Sequence, residues 1–370
     1  MTERRVPFLS LVPGDDAADV RAAIERVVSR GWFILGPEVE AFEAEFAEAS
    51  GARHAIAVGS GTDAIALTLR ALGIGPGDEV ITTPLSAAFS ALAILMSGAR
   101  PVFADIDADR LTISPDAIER TIGARTRAIL PVHLYGQPAD MREIERIAAR
   151  HNLVIVEDCC QAHLANANGR PVGTIGAAGA FSFYPTKNLG AMGDGGAIVT
   201  NDAALAGRCK RLRNGGQTDR YRHVEPGVNS RLDEMQAAIL RARLPRLAAW
   251  TARRRELASR YRTMLAGAAA PGVVIPPELD PGHVYHVFVM RSAARVELQA
   301  HLAQRGVETL IHYPIPIPRQ PALAAADPAD CPVASRVCDE ILSLPLHPAL
   351  SVDDVDAVAA ALKGRDACVH

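Results

Sequence analysis

Lysine is scarce in this sequence. Lys187, Lys210 and Lys363 stand against thirty-six arginines in 370 residues. Lys187 lies in the apolar, glycine-rich stretch from Phe181 to Gly196, whose one acid is Asp194. Arginine could supply positive charge there, but it cannot shed a proton and offer a nucleophilic amine. A lysine among aromatic and apolar neighbours can be tuned to attack a carbonyl, as imine-forming lysines must be. The competing role is structural: a methylene stem covering a turn.

Two further groups have types and spacing that could do chemistry. Gly59-Ser60-Gly61-Thr62-Asp63-Ala64 joins a strand ending at Val58 to a helix starting near Thr62. Amides at a helix N-terminus, beside small residues that permit close approach, form an anion site, although an ordinary strand-to-helix turn looks the same. Asp158 directly follows a strand, Leu153 to Glu157, with Gln161 and His163 just beyond. It either faces the mouth of a site or caps the next helix. In a parallel sheet, ligands sit at the carboxyl ends of the strands, where both groups would meet Lys187 and Ser182. A nucleophilic amine, a phosphate cradle and a buried carboxylate together specify pyridoxal 5'-phosphate. The lysine binds the aldehyde as an imine, and the helix end binds the phosphate. The acid keeps the ring nitrogen protonated, so that the ring draws electrons from the substrate. Lys187, released by substrate, would serve as general base and acid.

The elements that must position these groups follow a regular rhythm. His54–Val58, Glu79–Thr83, Pro101–Ala104, Ala128–Val132 and Leu153–Glu157 read as buried strands. Thr62–Leu72, Leu85–Ser97, Pro115–Ile122 and Met141–His151 read as the helices between them. Alternation of this kind predicts an α/β fold, a mostly parallel sheet with helices on both faces. Ala180–Tyr184 and Gly196–Thr200 add strands around the lysine. Asn214–Arg231 reads as a long loop, and Leu232–Arg262 as a helical stretch interrupted at Pro245. A strand (Val284–Arg291), a helix (Val296–Arg305) and two final helices make a smaller α+β unit. The expected domains are residues 1–248, with an N-terminal helical segment over 1–50, and residues 249–370.

Composition narrows the class. Hydrophobic residues at 49% and charged residues at 22% suit a soluble globular chain. A net charge of -3 gives no footprint for nucleic acid. The longest apolar run, Ala87–Met96, is far short of the roughly 20 residues that span a bilayer. No apolar signal core opens the chain. Cys159 and Cys160 are adjacent, which fits neither a redox pair nor a zinc pair, so free thiols in the cytoplasm are expected. The scattered histidines predict no metal site.

The segments Gly61–Ala64, Val132–Asp140, Glu157–His163, Phe181–Gly196 and Gly227–Ala238 resemble the DegT/DnrJ/EryC1/StrS sugar aminotransferases over nearly the whole chain. The resemblance implies a fold-type I aminotransferase and a homodimer with shared sites. It also implies glutamate as amino donor and a nucleotide-linked keto-sugar as acceptor. By position it makes Lys187 the imine-forming residue and Asp158 the pyridine-nitrogen partner. Gln161 would lie against the ring or its phenolic oxygen, Gly61, Thr62 and Ser182 at the phosphate, and Asp63 among the other cofactor-binding residues. Asn229 would reach the phosphate of the neighbouring subunit. Phe89 stands beside Ala88, the place of the family's stacking aromatic. Phe33, Tyr184, His312 and Tyr313 are substrate-binding candidates. Phe183–Gly196 and Asn229–Asp233 look most like the branch acting on dTDP-3-keto-6-deoxyhexoses, whereas 4-keto enzymes more often have Glu where Asp194 stands. Leu164, Asn166, Thr186 and Pro318 depart from the branch's usual pattern.

A nicotinamide oxidoreductase is the rival from another class, since Gly59-x-Gly61-x-x-Ala64 satisfies the dinucleotide fingerprint. The next strand, however, ends in Thr82-Thr83 and lacks the acid that would hold a ribose. That reading also leaves Lys187 without a role.

Overall fold

The computed structural model describes residues 5–266, 272–324 and 330–363; Cys368 lies outside them. Two helices come first, α1 (Ala17–Arg30) and α2 (Pro37–Ala49). Gly31 ends α1 at φ 69°, a left-handed turn that glycine adopts without a Cβ clash. The start of α2 is closed by a distant acid. Glu234 accepts from the amides of Gly36, Glu38 and Val39 at 2.8–2.9 Å.

Strands and helices then alternate: β1 (His54–Val58), α3 (Gly61–Ala71), β2 (Glu79–Thr82), α4 (Phe89–Ser97), β3 (Arg100–Phe103), α5 (Pro115–Thr121), β4 (Thr126–Leu130), α6 (Met141–His151) and β5 (Val154–Asp158). A two-residue hairpin, β6 (Asn166–Ala167) and β7 (Arg170–Pro171), precedes β8 (Ala178–Ser182), β9 (Gly196–Thr200) and α7 (Ala203–Leu212). Seven strands form one sheet in the order β1-β9-β8-β5-β4-β2-β3. Helical crossovers keep β2, β3, β4 and β5 parallel, and β8 joins parallel to β5 after the β6-β7 hairpin. The exception is β9, antiparallel to β1 and β8 because the Lys187 turn, not a crossover, leads into it.

Strand alternation sends Ala55 and Ala57 to one face and Ile56 and Val58 to the other, and each face carries its own apolar core. On the first face Phe46 of α2 meets Phe181 and Phe183 edge-on at 5.2 and 5.1 Å. These contacts clamp the strand that delivers Lys187.

Within Asn214–Arg231, expected as loop, β10 (Gln217–Asp219) and β11 (Arg222–His223) pair as a hairpin. Next come α8 (Glu234–Arg243) and α9 (Leu247–Met264), split at Pro245 as the sequence predicts. The remaining elements are β12 (Phe288–Arg291), α10 (Arg295–Gln304), α11 (Pro332–Glu340), β13 (Ile341–Leu344) and α12 (Val352–Lys363). Of these, β12, α10, β13 and α12 share a third core, around Tyr261, Phe288, Leu302 and Leu344, which Val6 joins from the other end of the chain, whereas α11 packs in a fourth with Phe103, Leu134 and Tyr135.

Two element starts and one strand depart most from the sequence reading. α4 begins at Phe89 rather than Leu85, because the Leu85 amide donates to Thr83 Oγ1 at 3.2 Å and bends the chain there. β12 begins at Phe288 rather than Val284, because the Val284 and His286 amides donate to the carbonyls of Gly136 and Tyr135. The strand β13 was not expected between the last two helices; its four residues run antiparallel to β12.

Candidate active site

Asp158 ends β5 at the carboxyl edge of the sheet and is 4% exposed. Its Oδ2 accepts from Ser90 Oγ at 2.7 Å and its Oδ1 from the Cys160 amide at 3.0 Å. Two donors leave the carboxylate with capacity for another. The neighbouring strand β8 pairs Ala180 with Asp158 and ends at Ser182. The chain then turns before returning as β9. The Lys187 amide donates to the Tyr184 carbonyl at 2.8 Å and Asn188 Nδ2 to the Val284 carbonyl at 3.1 Å, which fixes the turn. Burial lowers the pKa of the Lys187 amine below the usual lysine value, while Cys160 and Asp158 pull the other way. A more easily deprotonated amine suits a nucleophile and proton carrier.

The start of α3 adjoins this pair. Ser60 caps it, its Oγ accepting from the Asp63 amide at 3.1 Å, so the amides of Gly61 and Thr62 head the helix. Close approach requires glycine here. A Cβ on Gly61 would meet Cys160 Sγ at 2.7 Å and Ser182 Cβ at 2.8 Å, and one on Gly196 would meet the Ser60 carbonyl oxygen at 2.3 Å. The Asp63 carboxylate accepts from Ser230 Oγ at 2.8 Å, and that oxygen accepts from the Gly59 amide at 2.9 Å. Asn229, next in the chain, is exposed and lines a hollow with Gly59, Ser60, Asp63 and Asp194.

Gln161 links the site to the C-terminal unit. Its Oε1 accepts from the Tyr135 amide at 2.7 Å and its Nε2 donates to the Tyr313 hydroxyl at 2.9 Å. Burial pushes that hydroxyl up to about 12, so it stays protonated. His312 and His286 line a cavity of about 860 Å³ that also includes Thr186. Burial first, then the charge of Lys187, pulls His312 down to about 4 and His163 to about 3. Both imidazoles are neutral at ordinary pH, and His163 Nε2 lies 2.9 Å from the Ser182 carbonyl.

The structure therefore draws together Lys187, Asp158, Gln161, Ser182 and the Gly61-Thr62 helix start, with Tyr313 joined through Gln161. It leaves others outside this cluster. Phe89, Phe33 and Tyr184 are 62%, 51% and 51% exposed. Sequence reasoning missed Ser90, although it is the one polar residue in the run Ala87–Met96. It also did not single out Tyr135, although that residue lies in the Val132–Asp140 segment.

Among the described residues one group has metal-ligand spacing: His133, Glu157 and Cys159. Its carboxylate and imidazole are already engaged. Glu157 accepts from the amides of Gly173, Ile175 and Gly176 at 2.8 Å and contacts His133 Nε2 at 3.0 Å. His133 Nδ1 accepts from the Ala139 amide, so Nε2 carries the proton, and the network is structural.

Comparison with known proteins places this geometry. Residues 15–363 match the profile of the DegT/DnrJ/EryC1/StrS aminotransferase family. The chain is 49% identical to a dTDP-3-amino-3,4,6-trideoxy-alpha-D-glucose transaminase of Streptomyces venezuelae, over 94% of this chain and 92% of that one. A crystal structure of S. venezuelae DesV in complex with a ketimine intermediate superposes with a TM-score of 0.95 at 47% identity, covering 99% of this chain and 100% of that one. The structure of NtdA from Bacillus subtilis with bound cofactor PMP superposes with a TM-score of 0.90 at 34% identity, covering 97% and 84%.

Proposed function

Because the chain belongs to the DegT/DnrJ/EryC1/StrS aminotransferase family, we propose that it aminates C3 of a dTDP-linked 3-keto-6-deoxyhexose, with glutamate as donor. It is a pyridoxal-phosphate-dependent transaminase. The residues present fit that cofactor. A Cβ on Gly61 or Gly196 would collide with Cys160, Ser182 or Ser60, so these glycines let the start of α3 pack against the strand ends beside Asp158, which retains acceptor capacity. Pyridoxal phosphate supplies an aldehyde and an electron-accepting ring.

In this reading the protein's own groups divide the remaining work. Gly61, Thr62 and Ser182 hold the phosphate, and Asp158 holds a proton at the ring nitrogen. Gln161 lies against the ring and fixes Tyr313. Lys187 makes the carbonyl attack and then carries a proton to and from the substrate carbon. The neutral His312 and the Tyr313 hydroxyl stand at the sugar side. The observation that carries the reading is the buried carboxylate of Asp158 at the end of β5, one strand from the turn that bears Lys187 and beside the start of α3.

The C3 assignment draws support from the S. venezuelae relative, named for a 3-amino sugar, and from Asp194. A homodimer would cover Trp32, Phe33, Phe89, Met96 and Met192, large apolar side chains that one chain leaves exposed. No helix among the described residues is long and apolar enough to cross a membrane. Cys159, Cys160, Cys209 and Cys338 are free thiols, which suits the reducing cytoplasm. Purified protein should be yellow, bleach with borohydride, and lose both properties in Lys187→Ala. Offered dTDP- and UDP-linked keto-sugars with glutamate, it should aminate dTDP-3-keto compounds. Turnover with 4-keto compounds alone would overturn the C3 assignment.

A further inference from the structure

Arg254 lies on α9, and its residue is 5% exposed. Nη1 donates to the Leu346 carbonyl at 2.8 Å, whereas the equally buried Nε has no partner. No acid among the described residues answers its charge. Burial alone lowers its pKa, to about 10, so the guanidinium stays positive at neutral pH. A buried charge left unpaired is destabilising, and a protein keeps one where something else neutralises it.

That something has a place to sit. Arg254 lines a cavity of about 650 Å³ whose wall also contains Thr186, Lys187 and Trp250. Two acids share the wall but are occupied: Asp16 pairs with Arg243 at 2.7 Å, and Asp15 lies 3.9 Å from Arg246. Arg253 pairs with Glu256 at 2.8 Å. His347 is there too, with one ring nitrogen toward the Pro7 carbonyl and Nε2 free. With its proton on the Pro7 side, that Nε2 is an acceptor and cannot neutralise Arg254.

We propose that Arg254 holds a carboxylate of the amino donor. The Nε edge of a guanidinium offers two parallel N–H groups that match one carboxylate. A single negative charge balances the single buried positive one, which a more highly charged diphosphate would not. Position agrees. His163 and His286 are each pushed down by both Lys187 and Arg254, so the two cations act on the same small region. In an amino acid the carboxylate sits on the carbon whose amine is transferred, so its holder must lie near the reacting lysine. In a nucleotide-linked sugar the diphosphate is on C1, away from the keto carbon.

This assignment rests on the aminotransferase reading, and its test separates the two. The holoenzyme would be compared with Arg254→Gln and Arg254→Lys for glutamate and keto-sugar kinetics. Glutarate, an unreactive dicarboxylate, would be titrated calorimetrically into each. The expected result for Gln is at least a tenfold loss in kcat/KM for glutamate and in glutarate affinity, with partial retention in Lys and keto-sugar KM within twofold. Unchanged glutamate kinetics would overturn the assignment. So would a rise in sugar KM alone, which marks a diphosphate site, or equal losses for both substrates, which mark a structural role. Should Gln fail to fold, Lys decides between the same outcomes. A wild type that never accepts an amine from glutamate would instead sink the functional reading.

Discussion

Ser90 donates its hydroxyl to Asp158 across 2.7 Å, from the first turn of α4 to the end of β5. Both residues are buried, so the carboxylate is oriented by a donor that water cannot easily replace. In the proposed role Asp158 must keep a proton on the ring nitrogen, which requires a full negative charge. Asp158→Asn should lower kcat on the order of 10²–10³-fold, as for removal of a preorganised charge. Ser90→Ala removes a single hydrogen bond worth about 1–1.5 kcal/mol, or roughly tenfold in rate. Steady-state kinetics of the two variants check this. Equal losses would show that Ser90 does more than orient Asp158.

The contact between Gln161 and Tyr313 ties the sheet to the C-terminal unit. Tyr313→Phe keeps the ring but strands a buried amide nitrogen, costing about 1–3 kcal/mol. The keto-sugar KM should rise while the yellow colour stays, because the cofactor's proposed holders are untouched. Loss of colour in this variant would place Tyr313 at the cofactor instead.

Gly196 faces the Ser60 carbonyl so closely that a Cβ would stand 2.3 Å from the oxygen, with backbone on both sides. Neither partner can swing aside. Gly196→Ala should cost on the order of 1–3 kcal/mol as overpacking and push the start of α3 away from Ser182. Thermal melting and the dissociation constant for pyridoxal phosphate should worsen together. Gly14→Ala, with open space around it, is the control.

Much of this was legible in the residues themselves. The alternating runs fixed the sheet, and rarity singled out Lys187 among three lysines. Asp158 was visible because a carboxylate directly after a buried strand has one edge to occupy. What stayed hidden depends on distance across the fold. Ser90 sits on a helix, and nothing local says that its hydroxyl meets a strand 68 residues later. Arg254 looks like one more surface arginine in Arg253-Arg254-Arg255, and only packing buries it. Phe89 drew attention as the aromatic of its segment, yet the helix turns it outward and its neighbour inward.

A last prediction concerns acid stability, away from the catalytic groups. His283 stacks on Tyr285 at 3.8 Å, and its Nδ1 accepts from the Tyr285 amide at 3.0 Å. Burial, with Arg262 second, pulls its pKa down to about 3. The unfolded chain would titrate near the ordinary value of about 6.5. Between those values the unfolded state binds the proton and the folded state does not, so stability falls as pH drops below about 6.5 and the loss levels off near the folded pKa. The slope from this one group approaches about 1.4 kcal/mol per pH unit. Glu38, held at about 2 by Arg26 and Arg241, adds a loss of the same sign only below its unfolded value of about 4.5. Denaturation measured from pH 7.5 to 4.5 should therefore show wild type losing stability before the carboxylates titrate. In His283→Gln the curve should be shallower by about 1 kcal/mol per unit over pH 6–4.5. Parallel curves for the two proteins would mean that His283 charges inside the fold, and that the stack with Tyr285 does not exclude the proton.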